Sequence, residues 1–381
     1  MKVAIYANEI AQPGETGVKT YSREIISNLL KVGAGNEFTL YSEKDIKSRV
    51  APDGFQALPE EKRPRVNYRF KCPKKRYWIF RVFPKCVLSD RPDVILLPIQ
   101  TYPFCVFRTK RPRVVVTIHD VAFLLFPEYF GFFRRQLLKL NTFFSVRLAD
   151  RIIVPSEVTK RDLLRFYGID EHKIRVVHHG YSTKLLEIAK QDDPRVTGLS
   201  AGKPYILFVG SIQPRKNIVR LVKAFELLKK NPRYAAHKLI ICGRKGWLYE
   251  EIFAQIDASP AREDIIMANN AGNELLASLY AGAELFVMPS LYEGFGLPVL
   301  EAMSFGLPVI CADNSSLTEI SGNAALLADG YSTQDLYIKI KSVLDDSKLS
   351  TELSSRSLAR CAEFSWEKAA RETLEVLESV A

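Results

Sequence analysis

Two glutamates and two glycines lie close together in the segment 289–303. Glu293 precedes Gly294 and Gly296, and Glu301 follows Glu293 by eight positions. A strand candidate precedes this segment and a helix candidate follows the glycines, so the glycines fall in a turn where a ligand can approach the backbone closely. Because carboxylates repel phosphate, both glutamates are expected to bind hydroxyl groups, such as sugar and ribose diols. The alternative is an ordinary turn with a solvated pair of glutamates.

Two adjacent cations occupy a similar position earlier in the chain. The strand candidate 205–209 is followed by a loop that begins at Gly210 and contains Arg215 and Lys216. In an α/β domain, such a loop presents backbone N–H groups and the positive end of a helix to an anion. Arg215 and Lys216 are therefore predicted to clamp a diphosphate.

Two single residues in the amino-terminal half are further candidates. His119 follows the strand candidate 113–118, and ligands of parallel sheets bind at the carboxyl ends of strands. Gly17 precedes a helix candidate and could admit a phosphate or a sugar, although the surrounding residues do not form a GxGxxG motif. For each residue the alternative is a purely structural role.

The composition is that of a globular protein with reduced thiols. Of the 381 residues, 47% are hydrophobic and 25% are charged, and this length suffices for two or three domains. The six cysteines are scattered without a CxxC pair, so neither a zinc site nor a disulfide framework is expected. The apolar run 1–6 meets Asn8 and Glu9 at once, which fits a buried strand better than a signal peptide. No stretch approaches the roughly 18 apolar residues that span a bilayer.

Positive charge is concentrated in the amino-terminal half. Residues 1–190 contain 34 Lys and Arg against 19 Asp and Glu, whereas residues 191–381 contain 20 against 24. The whole chain carries a formal net charge of +11. This asymmetry predicts an anionic partner for the first half only.

The segment 62–91 combines eleven Lys and Arg and a single acid, Asp90, with interleaved aromatic residues. Such a mixture favours an anionic membrane surface as partner, and a second basic and aromatic cluster at 130–139 supports that interpretation. The alternatives are a solvated helix with inward-packed aromatic side chains and a single-stranded nucleic acid. Since no nucleic-acid-binding motif is present, nucleic acid is not the expected partner.

Strand and helix candidates alternate on both sides of a polar segment. The pattern predicts an α/β fold with two Rossmann-like, doubly wound parallel-sheet domains that face a central cleft. The predicted domains are residues 1–188 and 204–365, joined by a linker at 189–203. Residues 366–381 are predicted to form an amphipathic helix that packs back on the first domain.

The chain resembles the family 4 retaining glycosyltransferases of the GT-B fold over nearly its whole length. The most specific motif is the pair Glu293 and Glu301, separated by seven residues. The other matching segments are 16–18, 118–120, 208–211, 214–217, 306–310 and 319–325. Residues 177–180 depart from the family pattern and receive no role.

The resemblance implies a retaining transfer of a hexose from a nucleotide-sugar to an acceptor hydroxyl, with no metal or other cofactor. Arg215 and Lys216 would neutralise the donor diphosphate. Glu301 would accept hydrogen bonds from the ribose, and Glu293 would hold the transferred sugar. His119 would contact that sugar and stabilise charge at its anomeric centre. The remaining donor-binding positions approach the phosphates or frame the sugar and the nucleobase: Gly17, Gly210, Arg244, Met267, Gly294, Phe295, Gly296 and Leu297. Arg244 and Met267 are expected on loops that follow neighbouring strands.

The segment 314–325 is similar to bacterial mannosyltransferases of polysaccharide assembly, which makes GDP-mannose the expected donor. UDP-sugars and dTDP-rhamnose are the alternatives. The first domain would bind a lipid-linked oligosaccharide acceptor of O-antigen or lipopolysaccharide synthesis, and the second the nucleotide-sugar. The protein is expected at the cytoplasmic face of the plasma membrane, which it would meet through residues 62–91. A rival class is a non-catalytic nucleotide-sugar or polysaccharide-binding protein on an inactive GT-B scaffold.

Overall fold

The computed structural model describes residues 1–14, 16–50, 63–70, 78–103, 112–190, 192–269 and 271–381. Its contacts divide the chain into two compact units. The amino-terminal unit comprises residues 1–180 together with 365–381, and the carboxy-terminal unit comprises residues 181–364.

The amino-terminal unit is built on a seven-stranded parallel sheet. Its strands are β1 (Lys2–Tyr6), β2 (Glu37–Ser42), β3 (Arg65–Phe70), β4 (Val94–Leu97), β5 (Arg113–Thr117), β6 (Arg151–Val154) and β7 (Ile174–Val176). The helices between them are α1 (Asn8–Ala11), α2 (Gly17–Val32), α3 (Lys47–Val50), α4 (Trp78–Arg81), α5 (Phe83–Asp90), α6 (Ala122–Leu125), α7 (Phe132–Leu148) and α8 (Glu157–Tyr167). The strand order is β3-β2-β1-β4-β5-β6-β7.

The carboxy-terminal unit is built on a six-stranded parallel sheet of the order β10-β9-β8-β11-β12-β13. Its strands are β8 (Tyr205–Val209), β9 (Lys238–Cys242), β10 (Ile265–Ala268), β11 (Leu285–Met288), β12 (Val309–Ala312) and β13 (Ala325–Ala328). Its helices are α9 (Thr183–Ile188), α10 (Pro194–Ser200), α11 (Ile218–Lys229), α12 (Glu250–Asp257), α13 (Asn273–Gly282), α14 (Leu297–Ser304), α15 (Ser315–Ser321), α16 (Thr333–Asp345) and α17 (Ser347–Cys361).

Several central strands have apolar side chains on both faces, which favours a parallel sheet covered by helices. Strands β4, β8, β11 and β12 are buried at every position, as expected where helices cover both sides of a sheet. Helix α2 turns Tyr21, Ile25, Ile26, Leu29 and Leu30 into the core. The prediction of two Rossmann-like parallel-sheet domains is therefore confirmed.

In each sheet the strand order reverses beside the first strand of the unit. The reversal lies between β1 and β4 in one sheet and between β8 and β11 in the other. Neighbouring connections leave such a sheet on opposite faces at this point, which opens a crevice at the carboxyl ends of the two strands. The candidate site residues that follow β8 and β11 meet at one of these reversals.

The segment 189–203 does not separate the two units, contrary to the sequence-based prediction of a linker there. The boundary falls between Gly180 and Tyr181, and residues 189–203 belong to the carboxy-terminal unit. Asp193 caps α10 by accepting from the backbone N–H of Arg195 at 2.9 Å, and Val196 is buried in the core. The polar composition of the segment thus reflects helix capping.

The last helix, α18 (Trp366–Glu378), belongs to the amino-terminal unit. It packs against α2 and buries five small or apolar side chains beyond Trp366. These are Ala369, Ala370, Thr373, Val376 and Leu377. The amino-terminal unit is therefore formed by two separate parts of the chain, one before and one after the carboxy-terminal unit.

Candidate active site

Three charged side chains meet at the carboxyl ends of β8 and β11. Arg215 and Lys216 lie in the short 3-10 helix Pro214–Lys216 after β8, and Glu293 follows β11. Lys216 Nζ lies 2.5 Å from Glu293 Oε1, and Arg215 Nη1 lies 3.2 Å from Glu293 Oε2. Arg215 also donates to the Tyr292 carbonyl oxygen. All three charged side chains are buried, so their charges act on each other with little screening by water.

The two cations keep Glu293 ionised in spite of its burial. Burial by itself would raise the pKa of this carboxyl group, but the charges of Lys216 and Arg215 outweigh it. Hydrogen bonds from Lys216 and Ser290 act in the same direction, and the pKa of Glu293 is lowered to about 2. At neutral pH the cluster therefore holds two positive charges and one negative charge, a net charge that suits an anion.

The turn after Glu293 is fixed by two serines of α15. The backbone N–H of Glu293 donates to Ser315 Oγ at 3.1 Å. Ser316 Oγ donates to the carbonyl oxygens of Glu293 and Phe295 at 2.8 and 2.9 Å. Gly296 ends the turn with φ +106°, and α14 begins at Leu297. The backbone of 294–297 is thus held in one conformation at a helix amino terminus, the end of a helix that favours an anion.

Replacing Gly296 with alanine is expected to lower the free energy of unfolding of the carboxy-terminal unit by about 1–3 kcal/mol. A side chain is strained at this φ, and a Cβ would lie 2.8 Å from Leu317 Cδ2, which is buried in the core. Thermal unfolding measures the loss. Gly198→Ala in α10 is the control, because a Cβ there meets no atom within 4 Å. Equal stability of Gly296→Ala and the unmodified protein would refute the prediction.

Glu301 lies in a different environment from Glu293, although both come from the same motif. It sits in the middle of α14, and the Tyr280 hydroxyl donates to its Oε2 at 2.9 Å. Burial raises the pKa of Glu301, and the hydrogen bond from Tyr280 offsets part of this effect. No ion pair neutralises Glu301 among the residues that the structure describes. Its carboxylate is therefore a hydrogen-bond acceptor without a cation, which suits a neutral diol.

The ends of β8 and β9 approach each other at two glycines. A Cβ on Gly243 would lie 1.8 Å from the Gly210 carbonyl oxygen, so position 243 admits no side chain. Gly210 N–H donates to the Cys242 carbonyl at 2.9 Å, and the Arg244 carbonyl accepts from the Ile212 N–H at 2.8 Å. Gly243 was not singled out in the sequence, although a glycine directly after a buried strand is a recognisable signal of close backbone approach.

Met267 is a strand residue, which corrects its expected place on a loop. It lies within β10 and pairs with Ile241 of β9. The β10 sequence continues the strand one residue beyond Met267 because Ala268 still pairs with Cys242. Arg244, in contrast, lies on the loop after β9, as expected from the sequence.

His119 follows β5 in the amino-terminal unit and is held by a single backbone carbonyl. Its Nε2 lies 2.9 Å from the Pro98 carbonyl oxygen. Because a carbonyl only accepts, Nε2 carries the proton, and Nδ1 of the neutral ring is left as an acceptor. Burial lowers the pKa of His119, and the contacts with Pro98 and Asp120 partly oppose that shift. The neutral ring is thus the favoured form.

An aromatic cluster supports His119 from within the same unit. The Tyr21 ring meets His119 edge-on at 4.8 Å between centroids, and Tyr21 also packs on His179 at 4.6 Å. His179 stacks on Trp366 of α18 at 5.4 Å, and its burial lowers its pKa well below the usual value. Residues 177–180 received no role from the sequence. Their packing depends on α18. The residue pattern at 177–180 does not show that α18 packs there.

Gly180 explains why the returning segment fits beside this cluster. A Cβ at this position would lie 2.1 Å from the Trp366 backbone nitrogen and 2.4 Å from the Ser365 carbonyl carbon. Two chain segments that pass this closely require a residue without a side chain. The His179–Gly180 pair therefore receives the chain as it re-enters the amino-terminal unit.

Gly17 is the first residue of α2 and lies in open surroundings. A Cβ there would meet no atom within 4 Å, and Thr16 caps the helix by accepting from the Lys19 N–H at 3.2 Å. The Lys19 ammonium donates to the carbonyls of Gln12 and Gly14 at 3.0 and 2.9 Å, which folds the preceding loop over the helix start. Lys19, which sequence reasoning missed, is thus a buried cation beside Gly17.

In the described part of the segment 62–91, Trp78 and Phe83 turn inward, whereas Tyr68, Phe70 and Phe80 are half-buried. Trp78 and Phe83 are buried and pack on Tyr6, with ring centroids 5.8 and 5.4 Å away. Arg69 is paired with Asp90 at 3.3 Å. For these residues the inward-packed alternative holds. The basic and aromatic residues from Lys71 to Tyr77, and Lys62, lie outside the described residues.

Across the described ranges, no group of three or more His, Cys, Asp or Glu side chains is arranged to hold a metal ion. No helix there combines the length and the apolar character needed to cross a bilayer.

Two sequence families together match most of the chain. The model for Glycosyltransferase Family 4 matches residues 16–185, and the model for Glycosyl transferases group 1 matches residues 189–360. The chain belongs to the family 4 glycosyltransferases. It is therefore a glycosyltransferase enzyme, and its two parallel sheets are those of the GT-B fold.

Individual proteins similar to this family 4 glycosyltransferase carry different names. The O-antigen chain mannosyltransferase B of Escherichia coli is 28% identical over 389 residues, which cover 98% of each chain. The D-inositol 3-phosphate glycosyltransferase of Nocardia farcinica is 32% identical over 234 residues, which cover 60% of this chain and 52% of the relative. Anabaena HepE, solved in complex with UDP and glucose, superimposes over 100% of both chains with a TM-score of 0.75 at 16% identity. The last comparison shows the shared fold.

Proposed function

We propose that this glycosyltransferase transfers mannose, with retention, from GDP-mannose to a hydroxyl of a lipid-linked oligosaccharide in cell-surface polysaccharide synthesis. The observation that carries the reaction class is the buried cluster of Arg215, Lys216 and Glu293 at the reversal of the second sheet. Mannose as the transferred sugar is supported by the full-length similarity to O-antigen chain mannosyltransferase B.

The cation pair suits a leaving diphosphate. As the glycosidic bond to the donor breaks, negative charge accumulates on GDP, and cations already in place lower that barrier without reorganisation. Lys216 and Arg215 are positioned by Glu293 before any donor arrives. We propose that they do the work for which other enzymes use a metal ion, so that no cofactor is required.

The two glutamates bind different sugar groups of the donor. Glu293, ionised at neutral pH, accepts hydrogen bonds from hydroxyls of the transferred mannose, together with the backbone of 294–297. Glu301, whose partner is the Tyr280 hydroxyl, accepts from the ribose hydroxyls. The loops at Gly210 and Arg244 and the end of β10 near Met267 frame the phosphates and the guanine.

Retention is assigned to attack from the face that the diphosphate leaves. An oxygen of the departing diphosphate takes the proton of the acceptor hydroxyl while that hydroxyl attacks the anomeric carbon. His119 contacts the mannose in this scheme, and its neutral ring presents Nδ1 as an acceptor for a sugar hydroxyl. Gly17 leaves room for the donor phosphates near the start of α2.

A lipid-linked acceptor places the enzyme at the cytoplasmic face of the plasma membrane. The excess of positive charge in residues 1–190 supports this, since acidic headgroups attract basic surfaces. Rhamnosyl transfer and transfer from a UDP-sugar are the competing functions. The similarity to D-inositol 3-phosphate glycosyltransferase over the better part of the chain is the observation that favours a different donor and acceptor.

Thermal-shift measurements with GDP, UDP, dTDP and their sugars test the proposal. GDP and GDP-mannose are expected to raise the melting temperature in a concentration-dependent way, because a ligand that binds the folded state stabilises it. Glu301→Gln is expected to weaken this GDP response by about tenfold in Kd, in line with the loss of charged hydrogen bonds to the ribose. Glu226→Gln, on α11, is the control. A selective response to UDP or dTDP would overturn the donor, and no response to any nucleotide would overturn the donor site.

A further inference from the structure

Helix α7 exposes an apolar face to solvent. Phe133 is 87% exposed, Phe132 66% and Leu137 57%, and Leu140 and Phe143 are also exposed. Phe133, Leu137 and Leu140 follow the spacing i, i+4, i+7 that places residues on one side of a helix. These five residues are called the α7 face. Isolated exposed apolar residues are ordinary, but a contiguous group of phenylalanines and leucines marks an interaction surface.

The opposite side of α7 fixes the helix to its unit. Thr142, Ser145 and Val146 are buried. Ser145 Oγ donates to the Gln100 carbonyl at 3.2 Å. The α7 face points outward because the opposite side of the helix packs against the rest of the amino-terminal unit.

The positive charge of α7 indicates an anionic partner. The helix contains Arg134, Arg135, Lys139 and Arg147, and it has no acidic residue. The Arg147 guanidinium lies 5.6 Å from the centre of the Phe143 ring, so one of these cations borders the apolar face directly. Helix α18 of the same unit offers a contrast, because its polar positions include Glu367, Glu372, Glu375 and Glu378.

We infer that the α7 face lies against an anionic lipid bilayer. A helix with phenylalanine and leucine on one side and arginine and lysine at its borders suits the bilayer interface. There the rings enter the acyl boundary and the cations meet lipid phosphates. A second copy of the chain fits the surface less well, because two α7 helices face to face would bring their cations together without compensating acids. This inference deepens the proposed function and rests on it for the lipid-linked acceptor.

The α7 face is a different membrane contact from the segment 62–91. In the described part of that segment, the side chains of Trp78 and Phe83 are buried and cannot enter a bilayer without unfolding their surroundings. The α7 face requires no such change. Contact through α7 would hold the amino-terminal unit at the height of lipid headgroups, where a diphosphate-linked sugar acceptor is found.

Vesicle co-sedimentation of the full chain tests the inference. The unmodified protein is expected to bind vesicles that contain phosphatidylglycerol more tightly than vesicles of phosphatidylcholine alone, and high salt is expected to weaken binding. The double variant Phe133→Ser with Leu137→Ser is expected to lose at least about tenfold in partitioning. Its control is Ile338→Ser with Leu358→Ser, which changes two exposed apolar residues in the carboxy-terminal unit.

Several results would contradict the membrane contact or the function on which it rests. Unchanged binding of the α7 variant would overturn it, as would binding that is abolished by neutralising Lys74, Lys75 and Arg76 but not by the α7 changes. A dimer in solution that the α7 variant converts to a monomer, without vesicle binding, would assign the surface to a second copy. The thermal shift with GDP tests the donor site independently of the membrane contact. A protein that responds to GDP but ignores vesicles overturns the membrane contact alone, and one that binds vesicles but no nucleotide overturns the proposed function alone.

Discussion

Replacing Lys216 with alanine is expected to lower the rate of sugar transfer by about 100- to 1000-fold. The buried ammonium group is a preplaced positive charge at the position proposed for the leaving diphosphate, and its contribution grows as charge develops there. The loss should appear mainly in kcat, because the interaction is stronger in the transition state than in the bound donor. Turnover with nucleotide-sugar and acceptor measures the effect.

Lys238→Ala is the matched control for Lys216→Ala. Lys238 is also a largely buried lysine in an ion pair, 2.6 Å from Asp264. It is the first residue of β9, however, and therefore lies at the amino end of its strand, whereas the proposed site lies at the carboxyl ends of β8 and β11. Both variants should retain a folded circular dichroism spectrum, because Arg215 still neutralises Glu293 when Lys216 is lost. Near-normal turnover of Lys216→Ala would remove the diphosphate role from this residue.

Replacing Glu293 with glutamine is expected to lower the free energy of unfolding at pH 7 by about 3 kcal/mol. The pKa of this buried carboxyl group is lowered from 4.5 to about 2 by Lys216 and Arg215, which outweigh the opposing effect of burial. A neutral amide would leave both cations buried without a counter-charge. Urea denaturation of the variant and the unmodified protein measures the difference.

The pH dependence identifies the charge as the cause. Because the pKa of Glu293 is lowered on folding, its stabilising effect is complete above the unfolded value of 4.5 and disappears as the pH falls toward about 2. The stability difference between the two proteins should therefore shrink over that interval. Glu301→Gln is the comparison, since the pKa of Glu301 is raised. A stability difference for Glu293→Gln that stays constant from pH 7 to low pH would mean that packing, not charge, explains the loss.

The order of strands and helices could be predicted because it depends on local patterns. Apolar runs such as 205–209 and 285–288 are typical of strands that are buried on both faces of a parallel sheet. The glycines at 294 and 296 likewise marked the turn before α14. The linker at 189–203 was misplaced because a polar composition with proline and glycine is shared by linkers and capped short helices. Only the burial of Val196 distinguishes the two.

The site residues could be found in the sequence, but their different environments could not be predicted from it. Sequence treated Glu293 and Glu301 as one motif, but their pKa values shift in opposite directions. The difference comes from residues far away in the chain. Lys216 stands 77 positions before Glu293, and Tyr280 stands 21 positions before Glu301. Spacing within a motif cannot show which partner each carboxylate will meet.

The sequence by itself determined the two parallel-sheet domains, the cations after β8 and the glutamates after β11, because periodicity and turn chemistry are local. The tertiary structure decided what those groups experience. It joined Lys216, Arg215 and Glu293 in one buried cluster, and it brought Trp366 back to His179 beside His119. It also turned the aromatic side chains of α7 outward while burying Trp78 and Phe83. Burial and long-range contacts set charge states and exposed surfaces, and both depend on how distant segments pack.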